Sequence, residues 1–314
     1  MSSPLIELEG VTKLYKTVIG VNDITLTLAP GFYGLLGPNG SGKTTLINLI
    51  MGQLRPTLGC VRLFGEEPWA HDRLLREVGL CPANEIHLPR VSAFTWVSYL
   101  LKLMGFSARE ARSRAEAALA TVKMERAMHR PVNEYSLGMR QRTKLAQAIA
   151  HDPQLLILDE PFNGLDPVGR HDMLKMLDEW RAKGRSLIFA SHLLHEVEAI
   201  RPSFLLISGG RLLASGPPQE VRRILAESPS LVRIRCEDVR PLAAALVKQG
   251  HAVAVRISAD HQHIEVQTPM AAALYEQLPE LAHQTGTLVE EIQSTDDSLK
   301  ELFTSLMRRH RGEV

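Results

Sequence analysis

The chain has 314 residues, 45% of them hydrophobic and 23% charged, which is enough for two domains or one large and one small. A net charge of +1 gives no general pull toward nucleic acid or an anionic membrane surface. Cys60, Cys81 and Cys236 are odd in number, widely spaced and without a metal-ligand pattern, so reduced thiols in the cytoplasm are expected rather than a disulfide framework.

Met1 to Gly10 lacks the basic and apolar regions of a signal peptide, and no apolar run approaches a membrane span. If the protein works at a membrane, another chain is expected to do the spanning. Leu5 to Glu9 alternates apolar and acidic residues as a half-buried strand does, and Ile24 to Leu28 alternates again. Phe32 to Leu36 reads as a buried strand, Leu46 to Met51 as the first turns of a helix, and Cys60 to Gly65 as a further strand. A small antiparallel sheet beside a parallel core is expected.

Between that strand and helix stands Gly37-Pro38-Asn39-Gly40-Ser41-Gly42-Lys43-Thr44-Thr45. A glycine, four spacers and Gly-Lys-Thr between a strand and a helix is the phosphate-binding loop. Its glycines let successive backbone N–H groups turn inward, and the helix N-terminus adds partial positive charge. Lys43 is expected to reach the β- and γ-phosphates of a nucleoside triphosphate, and the Thr44 hydroxyl to sit on Mg²⁺.

Val78 to Glu85 reads as a short strand running into a loop, and the chain is then mostly helical to about Ala150. Ser107-Ala108-Arg109-Glu110 is a capping box for the helix through Ala111 to Met124, and another helix starts at Ser136. Phe94, Trp96, Tyr99 and Leu100 form an apolar cluster, expected as core, with Phe94 the residue best placed to reach a groove for a partner helix. Leu155 to Glu160 is a wholly apolar strand ending in two carboxylates, as buried parallel strands do at their ligand-binding edge. A helix through Met173 to Trp180 and a strand from Ser186 to Ala190 follow, ending at Ser191-His192. Alternating strands and helices argue for a parallel sheet.

The style changes at Gly216-Pro217-Pro218, and Glu227 to Ser230 reads as a linker. Strand Leu231–Arg235, helix Val239–Gln249, strands Ala252–Ile257 and Ile264–Gln267, helix Met270–Leu281 and strand Thr287–Ile292 give the βαββαβ order of a ferredoxin-like domain. Ser298 and Glu301 cap a last helix with the stripe Leu299, Leu302, Phe303 and Leu306, read as ordinary core. His261 and His263 read as a polar turn before a metal site, and Arg308, Arg309 and Arg311 as a solvated tail.

The remaining motifs decide among phosphate-loop activities. No Asn-Lys-x-Asp segment for reading guanine is present, whereas Tyr135 to Arg142 precedes the acidic strand, Asn163-Gly164-Leu165-Asp166-Pro167 follows it, and Ser191-His192 ends the next strand. With these in order, the chain resembles the ATP-binding subunits of the ABC transporter superfamily over about residues 4 to 220. The resemblance implies an α/β fold: a phosphate-loop (RecA-like) parallel sheet core with an antiparallel β subdomain and a helical subdomain at about 85–150, all within 1–220. The linker at 221–230 and the ferredoxin-like α+β domain at 231–314 follow.

It implies an ATPase using ATP and Mg²⁺. Asp159 would hold Mg²⁺, Glu160 would polarise the attacking water, His192 would contact the γ-phosphate, and Tyr15 would stack on adenine. Ser136 and Gly138 would cap ATP held by a second copy, with Asp166 at the interface of a head-to-tail dimer. The implied partner is a separately encoded permease, more as an exporter than an importer, with the protein on the cytoplasmic membrane face and no nucleic acid. One position departs from the family: its usual glutamine after Pro82 is Ala83, which can touch neither Mg²⁺ nor water. Asn84 or Glu85 would have to take over, or hydrolysis would be slow and the protein an ATP-gated switch.

Overall fold

In the computed structural model the N-terminal alternation becomes β1 (Ile6–Tyr15) and β2 (Val18–Leu28). The chain continues through β3 (Phe32–Leu36), the phosphate loop and α1 (Lys43–Ile50), and returns as β4 (Leu58–Leu63). Strands β2, β1 and β4 form the expected antiparallel sheet, in that order. Leu5–Glu9 and Tyr15 prove to lie at the two ends of one bent strand: Gly10, at φ 58°, interrupts the alternation, and the pairing with β2 shifts between Leu8 and Val11. The structure describes residues 4–84, 90–200, 202–217, 230–258, 261–268 and 271–294. They divide between two units, 1–218 and 219–314.

Within the first unit α2 (Asp72–Leu75) and β5 (Val78–Cys81) lead into three helices, α3 (Ala93–Leu103), α4 (Ala108–Thr121) and α5 (Leu137–Ile149), which pack on one another. Each begins at a serine: Ser92, Ser107 and Ser136 accept the N–H of Thr95, Glu110 and Met139 at 3.2, 3.3 and 3.2 Å. The Glu110 carboxylate pairs with Arg114 at 3.1 Å, so the hydroxyl half of the capping box is the half observed. The expectation that Phe94, Trp96, Tyr99 and Leu100 are core is corrected. The cap at Ser92 sets the register so that Ala93, Val97 and Leu101 face inward, while Tyr99 is 52% exposed.

Next come β6 (Leu155–Asp159), α6 (Pro167–Ala182), β7 (Ser186–Ser191), α7 (Leu194–Glu198), β8 (Ser203–Ser208) and β9 (Arg211–Gly216). The main sheet has the order β5-β6-β7-β3-β8-β9, parallel throughout except where β9 runs against β8. Every residue of β6 and β7 is buried, the pattern of strands covered on both faces. Leu36 lies opposite Ser191, and Asp159 opposite Ala190. The carboxyl ends of three neighbouring strands therefore lie side by side, and each motif follows one of them.

The second unit contains β10 (Ser230–Cys236), α8 (Val239–Lys248), β11 (Ala254–Ile257), β12 (His263–Thr268), α9 (Ala271–Thr285) and β13 (Val289–Ser294). All pairs are antiparallel in the order β11-β12-β10-β13, the ferredoxin-like arrangement, over a core that includes Val232, Ile234, Leu242, Ile264, Val266 and Leu278. The helix expected around Leu299 to Leu306, the arginines at 308, 309 and 311, and the linker stretch Glu227 to Pro229 lie outside the described residues. No described helix is long and apolar enough to cross a membrane.

Candidate functional site

The phosphate loop follows β3 tightly. A Cβ at Gly37 would lie 2.3 Å from Ile207 O, and one at Gly42, whose φ is 105°, would lie 2.4 Å from Gly20 O. No other residue type fits either place, so the loop stays pressed against its neighbours. Pro38, Asn39 and Gly40 form its tip, with Asn39 and Gly40 exposed, and Ser41 N–H bonds back to Pro38 O at 3.1 Å. The Ser41 hydroxyl is buried with no hydrogen-bond partner. A cradle that a Cβ would fill, with an orphaned hydroxyl inside it, fits a bound phosphate chain.

Lys43 is buried and donates to Gly37 O at 2.7 Å and Pro38 O at 3.3 Å, with Glu160 Oε1 at 3.7 Å. Burial lowers the pKa of its ammonium, opposed by the carboxylates of Glu160 and Asp159. Thr44 Oγ1 donates to Asp159 Oδ2 at 2.9 Å across the join between α1 and β6. Burial raises the Asp159 pKa, and the Thr44 hydrogen bond works against it. A hydroxyl and a carboxylate oxygen at this spacing are hard oxygen ligands, suited to Mg²⁺. Tyr15, at the end of β1, lies over Gly20: a Cβ there would meet Tyr15 Cε2 at 2.7 Å and Thr45 Cγ2 at 2.9 Å. The ring is thus brought beside Thr45 of the phosphate loop, in a residue that is 42% exposed.

Glu160 takes φ 50° just past β6, held by its N–H to Ala190 O at 2.9 Å. That left-handed turn carries the carboxylate beyond the strand, with 11% of its side chain exposed. His192 Nδ1 lies 3.0 Å from both Glu160 oxygens. An ionised carboxylate only accepts, so Nδ1 carries the ring proton and Nε2 is left available. Lys43, Thr44, Asp159, Glu160 and His192 form one connected group.

Ser136, Gly138 and Asp166 form a second group. Ser136 caps α5, and Asp166 caps α6 by accepting the Gly169 N–H at 2.8 Å, ahead of Pro167 at the first helical position. A Cβ at Gly138 would lie 2.8 Å from Gly164 O, and Leu137 packs on Gly164 itself. Among the described residues, no hydrogen bond or ion pair joins Ser136, Gly138 or Asp166 to the phosphate loop.

At the departure from the family pattern, Ala83 and Asn84 are both exposed and line a cavity of about 610 Å³ together with Thr44, Asp159, Gln147 and His151. Glu85 lies outside the described residues. Sequence reasoning missed what holds this loop: Lys144, 3% exposed, donates to the carbonyls of Pro82, Ala83 and Asn84 at 2.7, 3.4 and 3.1 Å. A lysine sharing its helix face with Ala148, four residues on, was the available signal. Ser191 and Glu196, both buried beside Glu160, were also missed as a pair.

Residues 21–163 match the ABC transporter family model. A Nod factor export ATP-binding protein I of Burkholderia orbicola (strain AU 1054) is 34% identical over 220 residues, covering 69% of this chain and 72% of that protein. A solved ATP-binding subunit of an ABC transporter superposes with a TM-score of 0.64 at 27% identity, covering 70% of this chain and 92% of its own. The dimeric bacterial ABC transporter cassette MJ0796 gives 0.62 at 25% identity, covering 68% and 98%.

Proposed function

The chain belongs to the ABC transporter family as an ATP-binding subunit and ATPase, and from that premise we propose that two copies join head to tail, hydrolyse ATP between them and drive a separate integral membrane permease. The observation that carries the reading is the division of the site. Lys43, Thr44, Asp159, Glu160 and His192 are gathered at the phosphate loop, whereas among the described residues no hydrogen bond or ion pair joins Ser136, Gly138 or Asp166 to that loop. A second copy turned head to tail brings its own second group over the first, and the dimer named for MJ0796 supports that pairing.

In the assembled site the phosphate loop, from Gly37 to Thr45, wraps the phosphates, and Lys43 leaves its carbonyl partners to reach the γ-phosphate. Tyr15 offers its open ring face to adenine. Thr44 and Asp159 would hold Mg²⁺, which would neutralise charge on the phosphate oxygens. Glu160 takes a hydrogen bond from the attacking water, and His192 keeps the carboxylate aimed from Nδ1; the ring donates to the γ-phosphate when Nε2 also carries a proton, since phosphate oxygens only accept. From the other copy, the Ser136 hydroxyl and the Gly138 N–H close on the γ-phosphate. Export is the direction we favour, since a relative at 34% identity is an export protein. The permease places the chain on the cytoplasmic membrane face.

Ala83 favours a second reading, an ATP-gated dimer that turns over slowly and regulates its partner. One assay separates the two: ATP turnover by the purified chain across a range of protein concentrations. The motor reading expects specific activity to rise with concentration as pairs form. Binding without turnover at any concentration contradicts it and leaves the switch.

A further inference from the structure

Beside Glu160 lies a buried carboxylate that the reaction itself does not use. Glu196, on α7, is 5% exposed, and its Oε2 accepts the Ser191 hydroxyl at 2.7 Å. Its other oxygen pairs with Arg170 Nη1 at 3.2 Å. The Ser191 oxygen also accepts the Leu193 N–H at 3.1 Å and stands 3.4 Å from Glu160 Oε2. A hydroxyl has one proton, and both carboxylates only accept. The shorter distance decides where that proton goes: to Glu196.

We propose that Glu196 and Ser191 are positioning residues for Glu160, with Glu196 holding the Ser191 proton away from the Glu160 carboxylate. The proposal rests on the reading that Glu160 polarises the attacking water. Glu160 already accepts from His192 and lies 3.7 Å from Lys43. A further donor would stabilise its negative charge and weaken its pull on a water proton. Arg170 fixes which Glu196 oxygen does what. It sits on α6, one turn past Asp166, and its guanidinium has only donors to offer.

Glu196→Gln tests this without changing shape. Arg170 compels the amide oxygen to face it, so the amide NH₂ faces Ser191. The hydroxyl must then accept from that NH₂ and turn its own proton toward Glu160. Steady-state kcat and KM for ATP would be measured on the full chain for wild type, E196Q, S191A and S191A/E196Q. The expected result is a kcat about tenfold lower in E196Q with KM within about twofold, while the same change in the S191A background costs less than about twofold.

Arg170→Met added to E196Q frees the amide to turn its oxygen to Ser191, and part of the lost turnover is expected to return. An equal loss with and without the Ser191 hydroxyl would overturn the proposal, as would an unchanged kcat in E196Q. Glu160→Gln is measured beside them: full turnover by it would instead overturn the underlying reading of Glu160, which keeps the two failures apart.

Discussion

At the scale of single residues, the site depends on close approaches that leave no room for substitution. Gly138 is the sharpest case, because a methyl group there would lie 2.8 Å from the backbone oxygen of Gly164, which cannot swing away as a side chain would. Gly138→Ala is therefore expected to push the start of α5 off the 163–166 loop. ATP turnover should fall at least about tenfold while one copy still binds ATP on its own phosphate loop, and equilibrium nucleotide binding beside turnover checks both halves. The phosphate loop, Asp159, Glu160 and His192 were legible in the sequence because each follows a strand in a recognisable order. Lys144, Ser191 and Glu196 were not. Their roles depend on which neighbour each side chain reaches in space, and a run such as Ser191 to Glu196 carries no spacing that says so.

At the scale of elements, the serine-capped helices and the apolar strands could be read from local pattern. The bend of β1 at Gly10 could not, because it depends on pairing with β2, and β8 and β9 were left unassigned although Phe204 to Ile207 is a short apolar run. The error over α3 has the same cause: a helix with apolar residues on several sides gives its inward face only once its neighbours are in place. One junction between elements makes a pH prediction. His151, just past α5, reaches Val78 O on β5 at 3.1 Å, and burial lowers its pKa. The fold favours the neutral ring, so its contribution is present above the unfolded pKa of about 6.5 and is lost as pH falls toward the lower folded value. Between pH 7 and 5 the melting temperature of the wild type is expected to drop more than that of His151→Phe, and calorimetry at the two pH values measures the difference.

At the scale of the whole molecule, the chain consists of two units with separate hydrophobic cores, residues 1–218 around the nucleotide site and 219–314 around the ferredoxin-like sheet. The order βαββαβ could be read from the sequence because each element there is short, regular and bounded by turn residues. The action of the second unit could not, because no motif in it carries chemistry. The fragment 1–218 is expected to fold cooperatively and bind ATP, and a shift of its dimerisation constant relative to the full chain would assign the C-terminal unit to assembly. The central claim is that two copies close around ATP and that Glu160 reopens them by hydrolysis. Light-scattering mass of Glu160→Gln with and without ATP tests it most directly. A monomer that becomes a stable dimer on adding ATP, with turnover abolished, is the predicted result; a variant that stays monomeric with ATP bound, or that hydrolyses ATP like the wild type, contradicts it.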